Sequence, residues 1–460
     1  MALVSTNPAT GQTIHRFIEH SRQEVDRVLQ RSRKSFLGWR ELAISERARL
    51  IRNAATILKG ELNALAALIT SEMGKPISQS RAEIEKCAAA CVYYAKHGPK
   101  FLKSERPPEA PRGTQVVFEP LGPVLAIMPW NFPFWQTFRA AVPALIGGNT
   151  ILLKHSSNVC GCALAIEEVF KRAGLPGGVF QTLLVGSAAV PRLINDENVA
   201  AVTLTGSTAA GKQVAEVAGA ALKPCVLELG GSDPYLILGD ADIAQAAEIC
   251  AAARLVNCGQ SCIAGKRFIV VESVRMAFED QLVSRIMARR VGDPFLAETD
   301  IGPMARADLR DEIDWQVRQS ARAGACILLG GHIPDGPGFF YEPTVLANVT
   351  KGMPAFDQEL FGPVAAIVPV PDEETAIATA NDSRFGLGAA IFSRDVARAE
   401  EIAREQLEAG MVFVNDFVRS DPSLPFGGIK QSGFGRELGY YGMREFLNTK
   451  VVWNQPKRRR

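Results

Sequence analysis

Val202-Thr203-Leu204-Thr205-Gly206-Ser207-Thr208-Ala209-Ala210-Gly211-Lys212 reads as a short apolar strand, a tight turn and the opening of a helix. The pattern around it repeats that unit. Apolar runs at 124–128, 150–153, 181–185 and 200–204 alternate with amphipathic stretches at 134–145, 162–173 and 188–194. Such alternation predicts an α/β fold, a parallel sheet covered by helices on both faces with ligands at the carboxyl ends of its strands. Gly206 and Gly211 stand five apart, outside the Gly-x-Gly-x-x-Gly dinucleotide pattern. A Ser/Thr pair at the helix start, with no side chain at Gly206, nonetheless presents N–H groups and a hydroxyl to one phosphate.

On the amino side, 24–39, 45–73 and 78–102 carry apolar residues at helical spacing and read as scaffold. A Pro/Glu/Arg-rich break at 105–112 leads into the alternating run 114–119, an exposed strand. On the carboxyl side a second alternating region has apolar runs at 235–238, 268–271, 326–329, 364–368 and 410–414. It ends at Pro425-Phe426-Gly427-Gly428, and 449–453 reads as a final strand.

Composition narrows the functional class. The chain has 460 residues, 47% hydrophobic and 22% charged, enough for two or more domains around buried cores. With 51 Lys plus Arg against 49 Asp plus Glu, no overall field draws it to nucleic acid or an acidic membrane. The terminal run Lys457-Arg458-Arg459-Arg460 reads as a solvated tail. No apolar stretch reaches spanning length and the first residues lack a basic-then-apolar leader pattern, so a cytoplasmic protein is expected. Nine irregularly spaced cysteines fit a reducing compartment, and no Cys/His spacing suggests a metal.

Chemistry concentrates in Asn257-Cys258-Gly259-Gln260-Ser261-Cys262-Ile263-Ala264, where small residues leave the Cys262 thiol sterically open. A thiol attacks as its thiolate and needs a base or N–H donors to ionise. Val226-Leu227-Glu228-Leu229-Gly230-Gly231 offers that base: a carboxylate among apolar residues has a raised pKa suited to general-base work near neutrality. Cys258, four residues before Cys262, is read as a buried bystander thiol, with a reversible disulfide to Cys262 as the alternative.

Gly259-Gln260-Ser261-Cys262 and Leu227-Glu228-Leu229-Gly230-Gly231 resemble the nucleophile and base signatures of the aldehyde dehydrogenase superfamily. The resemblance runs in order from Asn7-Pro8-Ala9-Thr10-Gly11 to Phe426-Gly427-Gly428. Pro129-Trp130-Asn131-Phe132-Pro133, Lys154-His155-Ser156-Ser157-Asn158 and Glu228-Leu229-Gly230-Gly231-Ser232-Asp233-Pro234 are most similar to its short bacterial succinate-semialdehyde dehydrogenases. The resemblance implies a Rossmann-type cofactor domain (1–113 and 122–229), an α/β catalytic domain (230–428) and a β oligomerisation arm (114–121 and 429–460). A homodimer or homotetramer follows from that arm.

It also implies residue roles. Cys262 forms the covalent thiohemiacetal and thioester, Glu228 activates the hydrolytic water, and Asn131 with the Cys262 N–H receives the oxyanion; by spacing alone Asn131 would cap the helix after it. Expelled hydride requires NAD or NADP. Trp130, Lys154, Ser157, Gly186, Gly206, Ser207, Gly211, Glu359 and Phe361 form the implied cofactor site, with Glu359 on the nicotinamide ribose, Phe361 beside it and Ser207 facing the pyrophosphate. Many NAD-using relatives carry Glu where Ser157 stands, so with Lys154 as a positive charge NADP is the expected preference. Trp135 and Arg139 follow Asn131 at spacings of four on one helical face, and Ser420 falls in the loop at the substrate entrance. Arg139 and Ser420 are the expected receivers of a semialdehyde carboxylate, a structural ion pair being the alternative for Arg139. A dehydrogenase for uncharged aldehydes and a retired enzyme kept for binding or structure are the competing readings. Retention of Cys262, Glu228, Asn131 and Glu359 weighs against the last.

Overall fold

A computed structural model describes residues 3–454, which excludes the basic tail Lys457–Arg460. Two sheets organise it. The first has six strands in the order Gly433–Phe434, Cys225–Glu228, Ala201–Thr205, Pro123–Met128, Thr150–His155 and Phe180–Thr182. All its pairs are parallel except the edge contributed by Gly433–Phe434. The second has seven strands ordered Cys326–Leu329, Thr344–Ala347, Val364–Val370, Gly265–Val271, Asp233–Ile237, Gly388–Phe392 and Met411–Val414, antiparallel only at Cys326–Leu329.

The expected strands are present, and each departure has a local cause. The expected helix over 45–73 is two helices, Ile44–Gly60 and Leu62–Met73, because Gly60 is a poor helix residue and the chain turns at Glu61. Thr344–Ala347 and Gly388–Phe392 are wholly buried strands, too short and too uniformly apolar to show a period. The hairpin of Leu3–Thr6 with Thr13–Phe17 was not legible either. The segment after residue 428 is only partly an arm. Gly433 pairs with Glu228 in the first sheet, and only Leu447–Trp453 pairs antiparallel with Thr114–Pro120 to make the two-stranded ribbon.

The helix Pro133–Gly147 is buried along its whole length, its polar side chains Gln136, Thr137 and Arg139 included. It ends at Gly148, whose φ of 101° is the left-handed conformation glycine adopts without a Cβ clash. Its start has no side-chain cap of its own. The Glu83 carboxylate, from the helix Ile77–Phe101, accepts from the N–H groups of Phe134 (2.8 Å) and Trp135 (2.9 Å), and Lys75 balances its charge. Residue 131 is therefore released from capping.

Candidate active site

The carboxyl edge of the first sheet faces the amino end of a strand of the second. Three turns leave that edge, carrying Trp130 and Asn131, Gly206 and Ser207, and Leu229 and Gly230; opposite them Cys262 lies just before Gly265–Val271.

The loop holding Cys262 has three consecutive left-handed residues, Asn257 (φ 56°), Cys258 (φ 56°) and Gly259 (φ 74°). At Gly259 a Cβ would sit 2.2 Å from the Gly362 carbonyl oxygen, so both conformation and close approach demand glycine. The two non-glycine residues store roughly 1–3 kcal/mol of strain each, which surrounding bonds must offset. Asn257 N–H donates to Gln79 Oε1 (2.7 Å), and its amide donates to the carbonyls of Asn131 (2.8 Å) and Gln260 (2.9 Å). Lys266 Nζ donates to the Ser261 (3.0 Å) and Cys262 (2.6 Å) carbonyls. Cys258 is packed into the apolar core against the second sheet, its sulfur accepting from Gly302 N–H at 3.2 Å.

Cys262 lies on the wall of two cavities at once. Burial pushes its thiol up to about 12, against the opposing charges of Arg139 and Lys266, so the resting group is the neutral thiol. Asn131 lines the larger of the two with it. Its Oδ1 accepts from Gln136 Nε2 and its Nδ2 donates to the Gln260 carbonyl, both at 3.0 Å, which fixes the amide and leaves its second N–H for a ligand. Glu228 is buried, and neither carboxylate oxygen has a hydrogen-bond partner among the described residues. Burial pushes its pKa well above the carboxylate range; Arg139 opposes this and Glu437 adds to it. Glu228 lies off the walls of both cavities.

The larger cavity, about 620 Å³, is lined by Trp130, Ser207, Cys262, Glu359 and Phe361 among others. It suits a dinucleotide's nicotinamide half. Phe361 meets Trp130 edge to face with centroids 5.7 Å apart, and Glu359 is anchored by Gly231 N–H (3.1 Å) and Lys266. A Cβ on Gly206 would meet no backbone within 3.9 Å, so the helix start at Thr208 is open to a phosphate; Ser207 is its N-cap. Gly211 serves packing instead: a Cβ there would lie 2.5 Å from Leu229. Lys154, Ser157 and Gly186 lie outside this cavity, at and beyond the end of Thr150–His155 and after Phe180–Thr182. Lys154 is buried, which lowers its pKa, and Gly186 N–H is taken by the exposed Glu19 carboxylate at 2.8 Å.

The smaller cavity, about 220 Å³, is walled by Phe132, Trp135, Ile263, Phe417 and Phe426. Trp135, Arg139 and Ser420 all line it, as expected. Arg139, however, is 2% exposed and ion-paired with buried Glu437, donates to Thr205 Oγ1 (3.2 Å), and packs over the Phe426 ring at 4.4 Å. This is the structural ion pair named above as the alternative for Arg139, and it engages one edge of the guanidinium while the residue still lines the cavity. Residues missed from the sequence are Lys86, Glu83, Lys266 and Glu437. The first two share a helix face with Gln79, a signal that becomes visible only once that helix is known to run along the cavity.

A shielded cysteine between a cofactor-sized cavity and an aromatic pocket, with an anchored amide beside it and a buried carboxyl behind, defines a thiol-dependent aldehyde-oxidising enzyme. Residues 2–452 match the Aldehyde dehydrogenase family, and the chain belongs to it. It is 48% identical over 452 residues to an Escherichia coli protein named succinate semialdehyde dehydrogenase (NAD(P)+), covering 98% of this chain and 97% of that one. It is 44% identical over 456 residues to a Mycobacterium tuberculosis succinate-semialdehyde dehydrogenase (NADP(+)), covering 98% and 100%. The crystal structure of succinic semialdehyde dehydrogenase from Streptococcus pyogenes in complex with NADP+ superposes with a TM-score of 0.95 at 37% identity, covering 98% of this chain and 99% of that one. Among the described residues no helix is long and apolar enough to cross a membrane.

Proposed function

We propose that the protein oxidises succinate semialdehyde to succinate, using NADP in preference to NAD. The observation that carries this reading is the position of Cys262 on the wall common to both cavities. The Cys262 sulfur adds to the aldehyde carbon and its proton passes to Glu228. The alkoxide so formed receives the free N–H of Asn131 and the N–H of Cys262. A bound nicotinamide would supply the hydride acceptor that no side chain here provides. A thioester remains on Cys262. Glu228, once it has released the thiol proton to solvent, removes a proton from the attacking water; the C–S bond breaks with its electron pair returning to the Cys262 sulfur, and the carboxylic acid leaves. No hydrogen bond resists the rotation that carries the Glu228 carboxylate toward the thioester. Burial raises the pKa of Glu228, which makes its carboxylate a stronger base than an exposed one.

Trp130, Ser207, Glu359 and Phe361 hold the nicotinamide half, and Lys154 with Ser157 meets the adenosine ribose. Lys154 has no carboxylate within ion-pair distance among the described residues, and Ser157 is small and neutral, which favours a 2′-phosphate. The domains assigned are 1–113 with 122–229 for cofactor and 230–428 for catalysis. The ribbon exposes Val451, Val452 and Trp453, an apolar edge suited to pairing in a homodimer or homotetramer. All nine cysteines are free, consistent with the cytoplasm. The test is reduced-nicotinamide absorbance for a panel of aldehydes with each cofactor. Succinate semialdehyde with NADP should give the highest kcat/KM; equal rates for butanal, or strict use of NAD, would overturn the substrate or the cofactor assignment respectively.

A further inference from the structure

Lys266, the second residue of the strand Gly265–Val271, is fully buried and lies off the walls of both cavities, so it meets neither cofactor nor substrate. Its ammonium nonetheless points at the nucleophile's backbone. It donates to the Ser261 carbonyl at 3.0 Å and to the Cys262 carbonyl at 2.6 Å, which belong to the two peptides flanking the Cys262 α-carbon. Glu359 Oε1, at 3.4 Å, is the one carboxylate within 4.0 Å of it among the described residues. The Ser261 carbonyl shares its peptide unit with the Cys262 N–H. That peptide is trans, so its C=O and N–H point to opposite sides. On the carbonyl side both lone pairs are filled, because Ala264 N–H donates to the same oxygen at 3.2 Å. On the other side the Cys262 N–H, directed away from Lys266, has no acceptor among the described residues. Backbone N–H groups shielded from bulk water are rarely left unpaired, so this one is kept for a ligand atom.

We propose that Lys266 is a positioning residue of the oxyanion site, acting through the Ser261–Cys262 peptide, whose plane it fixes and whose N–H it strengthens as a donor. A cation on the carbonyl oxygen draws electron density through the amide bond, and the N–H at the other end becomes a better hydrogen-bond donor. The donor is held in place before charge develops, which is what makes an oxyanion site effective. The inference rests on the covalent route through Cys262 proposed above. A lysine that merely clamps the loop would hold the sulfur and the N–H alike, so the two roles part in reactions that use the sulfur with and without an oxyanion.

The experiment compares two reactions of Cys262 in wild type, Lys266→Met and Lys266→Gln. With 4-nitrophenyl acetate the sulfur adds to the ester carbonyl, an oxyanion forms, and 4-nitrophenolate leaves with the C–O electron pair; its absorbance gives the acylation rate without a nicotinamide. With iodoacetamide the sulfur displaces iodide at a saturated carbon and no oxyanion forms. Any change in thiol ionisation or loop position is common to both and cancels in their ratio. In Lys266→Met the ratio of acylation to alkylation should fall at least roughly tenfold, short of the hundredfold or more that loss of a whole oxyanion donor costs. Lys266→Gln, which can keep a neutral donor on the Ser261 carbonyl, should lose less; if Lys266→Met does not fold, a fall of at least roughly threefold in Lys266→Gln decides the matter. Equal losses in the two reactions, or an unchanged acylation rate, would overturn the Lys266 assignment alone. A wild type that releases no 4-nitrophenolate, or a Cys262→Ala variant that releases it as fast, would overturn the covalent route and this assignment with it.

Discussion

Arg139→Met should act on stability before it acts on specificity. The substitution keeps most of the side-chain volume but removes the cation paired with Glu437, both partners being almost fully buried. Breaking one side of a buried pair costs about 3–5 kcal/mol because the remaining charge is stranded. Glu437 can limit that cost by taking a proton. Each pH unit above the ordinary Glu value of about 4.3 is worth about 1.36 kcal/mol, so protonation caps the penalty near 3.7 kcal/mol at pH 7 and near 1 kcal/mol at pH 5. The sign follows from the direction of the shift. Burial already raises Glu437 and Arg139 opposes it, so loss of Arg139 raises the folded-state value further. A raised carboxyl keeps its stability below the unfolded value and loses it as pH rises. Guanidinium denaturation at pH 5 and 7 should therefore show a deficit that grows with pH, and Glu437→Gln added to Arg139→Met should recover part of it. Catalytic efficiency should fall by similar factors on succinate semialdehyde and butanal. Unchanged denaturation midpoints with a loss confined to succinate semialdehyde would refute the reasoning and return Arg139 to the role of carboxylate receiver.

Cys262→Ala should abolish oxidation, whereas Glu228→Ala should slow thioester hydrolysis chiefly and leave a burst of reduced nicotinamide in stopped-flow absorbance; near wild-type turnover in Cys262→Ala would rule out the covalent route. Ser157→Glu should weaken NADP use several-fold or more while sparing NAD, read as the ratio of kcat/KM for the two cofactors; an unchanged ratio would remove Ser157 from the cofactor site.

The α/β alternation, the nucleophile loop and the base strand were all legible in the chain, because strand and helix periods and the small residues around Cys262 are local properties. Asn131 was found by its family motif, but spacing alone favoured a helix cap. That ambiguity was resolved only by Glu83, 48 positions earlier, which caps the helix instead. Helical spacing correctly put Trp135 and Arg139 on one wall, yet it could not show that Glu437 already pairs with the arginine. Nor could it show that Lys86, on a helix read only as scaffold, reaches Ser420, 334 residues away in sequence. Which charges of a site are paired and which stand free depends on long-range packing, and the local pattern of residues carries no record of it.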